Sequence, residues 1–197
     1  MVTAVAGARA PGGAAWAVAA AVPDPELPML TLADLGVLAE VTEDGAAVTA
    51  WLTPTYSGCP AVAEMAADVD RRLRAAGFAD VRVRLRLDPP WSTDLITAEG
   101  RRKLAEAGIA PPRPGAATAT GARRGGGTPL SLGPTRLADT AGGAGGSGGA
   151  GAAVAPVGCP LCGGTDTEEL SRFGSTACKA LWRCRDCREP FERVKEI

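Results

Sequence analysis

No histidine occurs anywhere in the chain. That absence excludes a histidine general base, a Ser-His-Asp or Cys-His arrangement, and a Cys2His2 zinc site. Catalysis would have to run on Cys, Asp, Glu, Lys or Tyr56, the single tyrosine. Aromatic residues are scarce, at 4%. An excess of one charge is missing too: 21 Lys and Arg face 22 Asp and Glu. Such a balance leaves no footprint for nucleic acid or an anionic membrane. No run approaches the roughly 18 apolar residues of a membrane span. The apolar stretch 14–22, AAWAVAAAV, lacks the basic start and leucine-rich centre of a signal peptide and reads as an amphipathic or buried helix. The cytoplasm is the expected compartment, and cysteines there stand as thiols or metal ligands rather than disulfides.

What is abundant is glycine, 26 residues, and proline, 16. The glycine is concentrated between about residues 115 and 151, and this divides the chain into three zones. Residues 12–112 are periodic and mixed. Residues 113–156 include TAGGAGGSGGAGAA and cannot bury enough apolar surface to offset ordering, so they read as a flexible linker. Residues 157–197 are short and dense in cysteine.

The first zone reads as α-β-β-α-β-α. A helix over 13–22 is stopped by the prolines of PDPELP. A hairpin follows, with strands over 36–43 and 46–53 around the Asp44-Gly45 turn. A helix from Pro60 places Val62, Met65, Ala66, Val69 and Leu73 on one face and stops at Gly77. VRVRLRL then alternates, with Val81, Val83, Leu85 and Leu87 expected inward and Arg82, Arg84 and Arg86 outward. The arginine row is either a solvated sheet face or a surface for an anionic partner. A last helix spans 97–108. The expected fold class is α+β: a small domain with a helix-covered mixed sheet, followed by a β-rich zinc ribbon.

One cysteine stands apart from the other five, in TPTYSGCPA, residues 53–61. If Pro60 opens the helix, Cys59 is its N-cap, where free N–H groups and the helix dipole would lower its pKa. Gly58 would allow a sharp turn, and Thr55, Tyr56 and Ser57 bring hydroxyls nearby. A small buried cap and a functional thiol both fit this pattern. The tail pairs Cys159-x2-Cys162 with Cys184-x2-Cys187, with 21 residues lying between the pairs. Each pair suits a knuckle presenting two thiolates to one tetrahedral ion. A module of about 40 residues folds poorly on apolar burial alone, so a metal staple is expected. Zinc is the first reading, with two disulfides or an iron–sulfur cluster as alternatives. Cys178, next to Lys179, is either a core residue or a second reactive thiol.

Three stretches resemble a known family: DPELPMLTLADLGVLAEV from Asp24, TPTYSGCPA, and DPPWSTDLITAEGRRKLAEAGIAPP from Asp88. They are similar to the small domain of the metal–sulfur cluster assembly family, the SufT-type proteins. The tail from Cys159, with GSTACKAL ahead of a cysteine pair, resembles the zinc-ribbon extension of its PaaD (PaaJ) branch. That branch consists of the D subunits encoded with the ring-epoxidising phenylacetyl-CoA oxygenase. The resemblance covers residues 12–112 and 157–197 and not the linker. It implies an accessory subunit of phenylacetate catabolism, not itself catalytic, that helps metallate the oxygenase or reductase subunits. Cys59 matches the expected functional thiol, within a motif that includes Thr55, Gly58 and Pro60. Asp24 and Glu26 match the family's DPE motif. On this reading Cys59 carries iron or an iron–sulfur cluster transiently, alone or with a thiol from a partner or a homodimer mate. The rivals are a non-catalytic scaffold subunit and a thiol-dependent activity of Cys59 and Cys178.

Overall fold

The computed structural model describes residues 13–45, 47–56, 58–115 and 156–197. Most of the expected linker, and Ser57, lie outside these residues. Helix α1 (Ala14–Ala20) buries Ala15 and Ala19 and ends ahead of Pro23. Strands β1 (Leu38–Asp44) and β2 (Ala47–Leu52) pair antiparallel around Gly45, whose φ of 60° needs no Cβ. Helix α2 (Val62–Ala75) then crosses over to β3 (Asp80–Leu85), which lies parallel to β2. The sheet order β1-β2-β3 is therefore mixed, as expected. A 3₁₀ turn (Thr93–Leu95) and α3 (Ala98–Glu106) close the layer.

The core lies between sheet and helices. Val48, Ala50 and Leu52 of β2 belong to one buried cluster with Met65, Val69 and Leu73 of α2, the stripe expected from the 3.6-residue period. The loop between α1 and β1 is fixed by reciprocal bonds. Thr31 N–H donates to Asp34 Oδ2 at 3.0 Å, and Asp34 N–H donates to Thr31 Oγ1 at 3.1 Å. The Trp91 indole donates to the Leu35 carbonyl at 2.9 Å. Gly36, at φ 67°, packs so closely that a Cβ would lie 2.6 Å from the Leu95 carbonyl oxygen.

Two expectations change in this domain. Leu85 and Leu87, expected inward, are 50% and 60% exposed. β3 is the sheet edge and ends at Leu85, so only Val81 at its start is buried. The arginine row is a self-paired surface: Arg84 and Arg86 lie over the Trp51 ring, Arg86 pairs with Glu40 at 2.7 Å, and Arg82 pairs with Asp80. Each of these three cations thus has a partner within the chain.

The tail forms β5 (Thr167–Ser171), β6 (Lys179–Cys184) and β7 (Pro190–Val194), with β6 antiparallel to both neighbours. The expected order α-β-β-α-β-α has no counterpart of β4 (Ile109–Ala110), which pairs parallel with Glu192 and Arg193 of β7. This two-residue strand extends the ribbon sheet to the order β4-β7-β6-β5 and fastens it to the first domain. Around the seam, Arg113 and Glu196 pair at 3.0 Å, Thr93 N–H donates to the Ile197 carbonyl, and Val194 is buried in the first domain's core.

Candidate functional site: a four-sulfur cluster and a cleft at the seam

The sulfurs of Cys159, Cys162, Cys184 and Cys187 lie within 4.8 Å of one another. Cys159 faces Cys187 at 3.8 Å, and Cys162 faces Cys184 at 3.6 Å. A tetrahedral ion with bonds of about 2.3 Å sets its sulfurs roughly 3.8 Å apart, so the spacing fits zinc-like coordination. A disulfide would need about 2.05 Å, and all six cysteines are free. The first knuckle turns at Gly163, whose φ is 77°, and is closed by Gly163 N–H donating to the Cys159 carbonyl at 2.9 Å. In the second knuckle the left-handed position falls to Arg188, at φ 67°.

Charge explains why such a set needs a cation. At Cys162 the Gly164 amide favours the thiolate, but the nearby sulfurs of Cys184 and Cys187 outweigh it and push the thiol up to about 12. At Cys159 burial opposes the thiolate, yet the amides of Cys162 and Leu161 and the neighbouring sulfurs overcome burial and lower the pKa. Four thiolates at this spacing repel one another unless a divalent ion lies between them.

The second feature is a cleft where the two parts of the chain meet. Asp24, Glu26, Thr55 and Cys59 line it from the first domain, and Cys178 lines it from the turn before β6. Its free volume is about 20 Å³, room for one water-sized guest. Asp24 is 4% exposed. Its Oδ1 accepts from the backbone N–H of Glu26 at 2.8 Å and of Leu27 at 2.7 Å, which shapes the proline-rich loop. Burial raises the Asp24 pKa against those two amides, and burial beside Asp24 raises that of Glu26.

Cys59 lies in the turn before α2 and not at its cap. The helix begins at Val62 with Ala61 as N-cap, and Pro60 sits in the turn. The lowered pKa expected for Cys59 is overturned: burial raises it more than the Ala61 amide lowers it, and Glu26 and Asp24 raise it further. Gly58 is exposed, is not among the positive-φ glycines, and would bring a Cβ no closer than 3.4 Å to the Tyr56 ring. Thr55 is half-buried at the rim. Cys178 is half-buried with its sulfur 3.1 Å from Thr176 Oγ1. Burial raises its pKa, and the lowering expected from Lys179 is present but smaller. Lys179 is itself a buried ammonium paired with Glu192 at 2.7 Å.

Asp24, Glu26, Thr55, Gly58, Cys59 and Pro60 were all legible in the sequence as a family resemblance. That Cys178 joins four of them, Asp24, Glu26, Thr55 and Cys59, in one cleft was not, because no local signal links residues so far apart. Lys179 and Glu192 were also missed as a pair. Among the described residues, the tail cysteines are the one set of three or more Cys, Asp or Glu donors so tightly grouped. The cleft donors share a wall at wider spacing.

A buried carboxylate is costly where a neutral amide of the same shape is not. Asp24→Asn keeps the acceptor for the Glu26 and Leu27 amides. We expect its thermal midpoint to equal or exceed that of the wild type, while any activity of the cleft falls. Differential scanning calorimetry checks this, and a marked drop in midpoint would show that the charge itself stabilises the loop.

Two family models match this chain. One, described as "Iron-sulfur cluster assembly protein", matches residues 14–91, and the other, "PaaD zinc beta ribbon domain", matches residues 145–195. A protein of Escherichia coli (strain K12), named as the D subunit of 1,2-phenylacetyl-CoA epoxidase, is 38% identical over 182 residues. The match covers 92% of this chain and 91% of that protein. A solved domain of unknown function from Bacillus anthracis, DUF59, is 28% identical with a TM-score of 0.43, covering 46% of this chain and 87% of its own.

Proposed function

Because the chain belongs to the family of 1,2-phenylacetyl-CoA epoxidase D subunits, we propose that it is an accessory subunit which helps assemble iron or iron–sulfur centres in the oxygenase or reductase subunits of such a complex, and is not itself the catalyst. The observation that carries this reading is the seam cleft: a thiol and two carboxylates face a space of one atom's size, in a chain without a histidine to act as base. Sulfur and carboxylate donors suit a metal cargo better than acyl or hydrolytic chemistry. Cys59 is the cargo thiol on this reading. Asp24 and Glu26 balance the charge of a cation there, and Thr55, Gly58 and Pro60 shape the loop that presents the thiol. Cytoplasmic operation is consistent with six free cysteines. Among the described residues no helix is long and apolar enough to cross a membrane.

Cys159, Cys162, Cys184 and Cys187 would hold a zinc ion. Four thiolate ligands leave no open position for substrate, so this ion supplies folding energy rather than chemistry.

The test is Cys59→Ser in place of the wild type in cells. We expect the iron content and epoxidase activity of the complex to fall by about tenfold or more, the least expected when a metal ligand is lost. The fold of the variant, followed by circular dichroism, stays unchanged. Unaltered iron and activity, with the protein co-purifying at fixed stoichiometry, would establish the scaffold role instead.

A further inference from the structure

We propose that a groove across the ribbon sheet docks the subunit that receives the cargo, by taking up a segment of that protein which presents a carboxylate beside an apolar side chain. This rests on the reading of Cys59 as the cargo thiol, and it adds where the recipient sits.

The register of the ribbon builds the groove. Glu169 of β5 lies opposite Trp182 of β6, and Ala180 of β6 lies opposite Arg193 of β7, so these four share one face. They line a hollow of about 630 Å³. Arg172 and Phe173 rim it from the turn after β5, and Lys195 and Glu196 rim it after β7. Lys195 also lines the seam cleft, so the groove adjoins the space of Cys59 and Cys178.

The lining lacks acceptors. Trp182 and Arg193 are both buried, yet Trp182 Nε1 and Arg193 Nε have no hydrogen-bond partner among the described residues. Buried polar groups are seldom left so, and these two can only donate. Charge points the same way. Arg172 pairs with Glu169 at 3.8 Å, and Arg193 shares Glu196 with Arg113. Lys195 donates to the Ala177 carbonyl at 2.7 Å and lies 5.4 Å from the Phe173 ring centre. It has no carboxylate partner among the described residues. Three cations thus face two carboxylates in the lining, and a carboxylate on the guest completes the set.

The rim decides between occupants. The Arg172 side chain is 88% exposed and Phe173 is 79% exposed. Walls so open leave most of a small molecule in water, whereas a protein segment continues past them. An exposed ring beside an arginine is also the composition of an interface anchor. The chain's own residues 116–155 do not complement the groove, because they carry Arg123, Arg124 and Arg136 against Asp139 alone.

The experiment is calorimetric titration of the full chain, with its ribbon zinc in place, by purified oxygenase and reductase subunits in turn. One of the two is expected to bind, and less tightly as salt rises. Phe173→Ser and Arg172→Glu, both at exposed positions, are expected to weaken that binding about tenfold or more, the cost of losing an anchor. Trp182→Phe keeps a ring and deletes the donor. It is expected to weaken binding about tenfold, while its thermal midpoint equals or exceeds that of the wild type because an unpaired buried donor is gone. Cys59→Ser lies outside the groove and is expected to bind as the wild type does, yet to lower the iron content of the complex in cells. The two results separate: unchanged iron overturns the cargo reading, and unchanged affinity in the three groove variants overturns the docking surface. Weakening by Phe173→Ser alone would mean an apolar contact without an acid, which overturns the stated partner. Binding by neither subunit, or a dimer of this chain in sedimentation that Phe173→Ser abolishes, would overturn it as well.

Discussion

Cys184→Ser is expected to lose the tail metal and with it the ribbon. Cys184 is fully buried, and its sulfur is one corner of the four-sulfur set. The ribbon's own core is small: Val157, Ala180, Trp182 and Phe191 pack with Ala110 and the cysteines. A core of that size does not offset the ordering of some 40 residues. Structural zinc supplies about 10–16 kcal/mol in comparable small modules, so its loss is decisive. Metal analysis should fall from about one ion per chain to near zero, and the near-ultraviolet signal of Trp182 should collapse. The first domain keeps a separate core around Leu30, Leu32, Leu52, Leu73 and Leu104 and remains folded. A chelator applied to the wild type should reproduce the change. A variant with full metal and an unchanged unfolding curve would show that the ribbon stands on packing alone.

The second large effect concerns Lys179 and Glu192. The Lys179 side chain is 5% exposed and Glu192 is its one ion-pair partner among the described residues. Glu192→Ala leaves a buried ammonium unpaired, a change of about 3–5 kcal/mol when a buried pair is broken from one side. It also removes the acceptor for Ser175, so the turn carrying Cys178 loosens. Chemical denaturation should register the loss, and Cys178 should react faster with a thiol-alkylating reagent. The double variant Lys179→Met, Glu192→Leu should recover most of the stability, because no charge is then stranded. If Glu192→Ala is neutral, the pair is not what holds the turn. Acid should act in the same direction. Burial alone would raise the Glu192 pKa, but Lys179 and Ser175 outweigh it and hold the carboxyl below its ordinary 4.5. A depressed acid stabilises the fold above its unfolded pKa, and the contribution disappears as pH falls through the folded value. Glu196, held low by Arg113 and Arg193 against its burial, behaves alike, so the seam should weaken below about pH 4.5 before the first domain does.

The sequence by itself determined the helices and first three strands of residues 12–112 and the chemistry of the tail cysteines. Period-3.6 spacing placed Met65, Val69 and Leu73 on the buried face of α2, because a helix repeats its faces every three to four residues. The paired Cys-x2-Cys spacing determined the four-sulfur set, because a knuckle is a local turn whose geometry is written in consecutive residues. The absence of histidine determined which chemistries were excluded. Tertiary structure alone decided the rest. The helix began at Val62 rather than Pro60, so Cys59 fell in a turn where burial beside two carboxylates outweighs its backbone donor. Leu85 closes an edge strand and Leu87 lies beyond it, so both are exposed, which alternation in sequence does not reveal. Above all, β4 is only two residues long and pairs with β7 from far along the chain. Pairing of that kind depends on contacts between distant residues and leaves no periodic trace. It is this pairing that brings Cys178 to the cleft of Cys59 and Asp24.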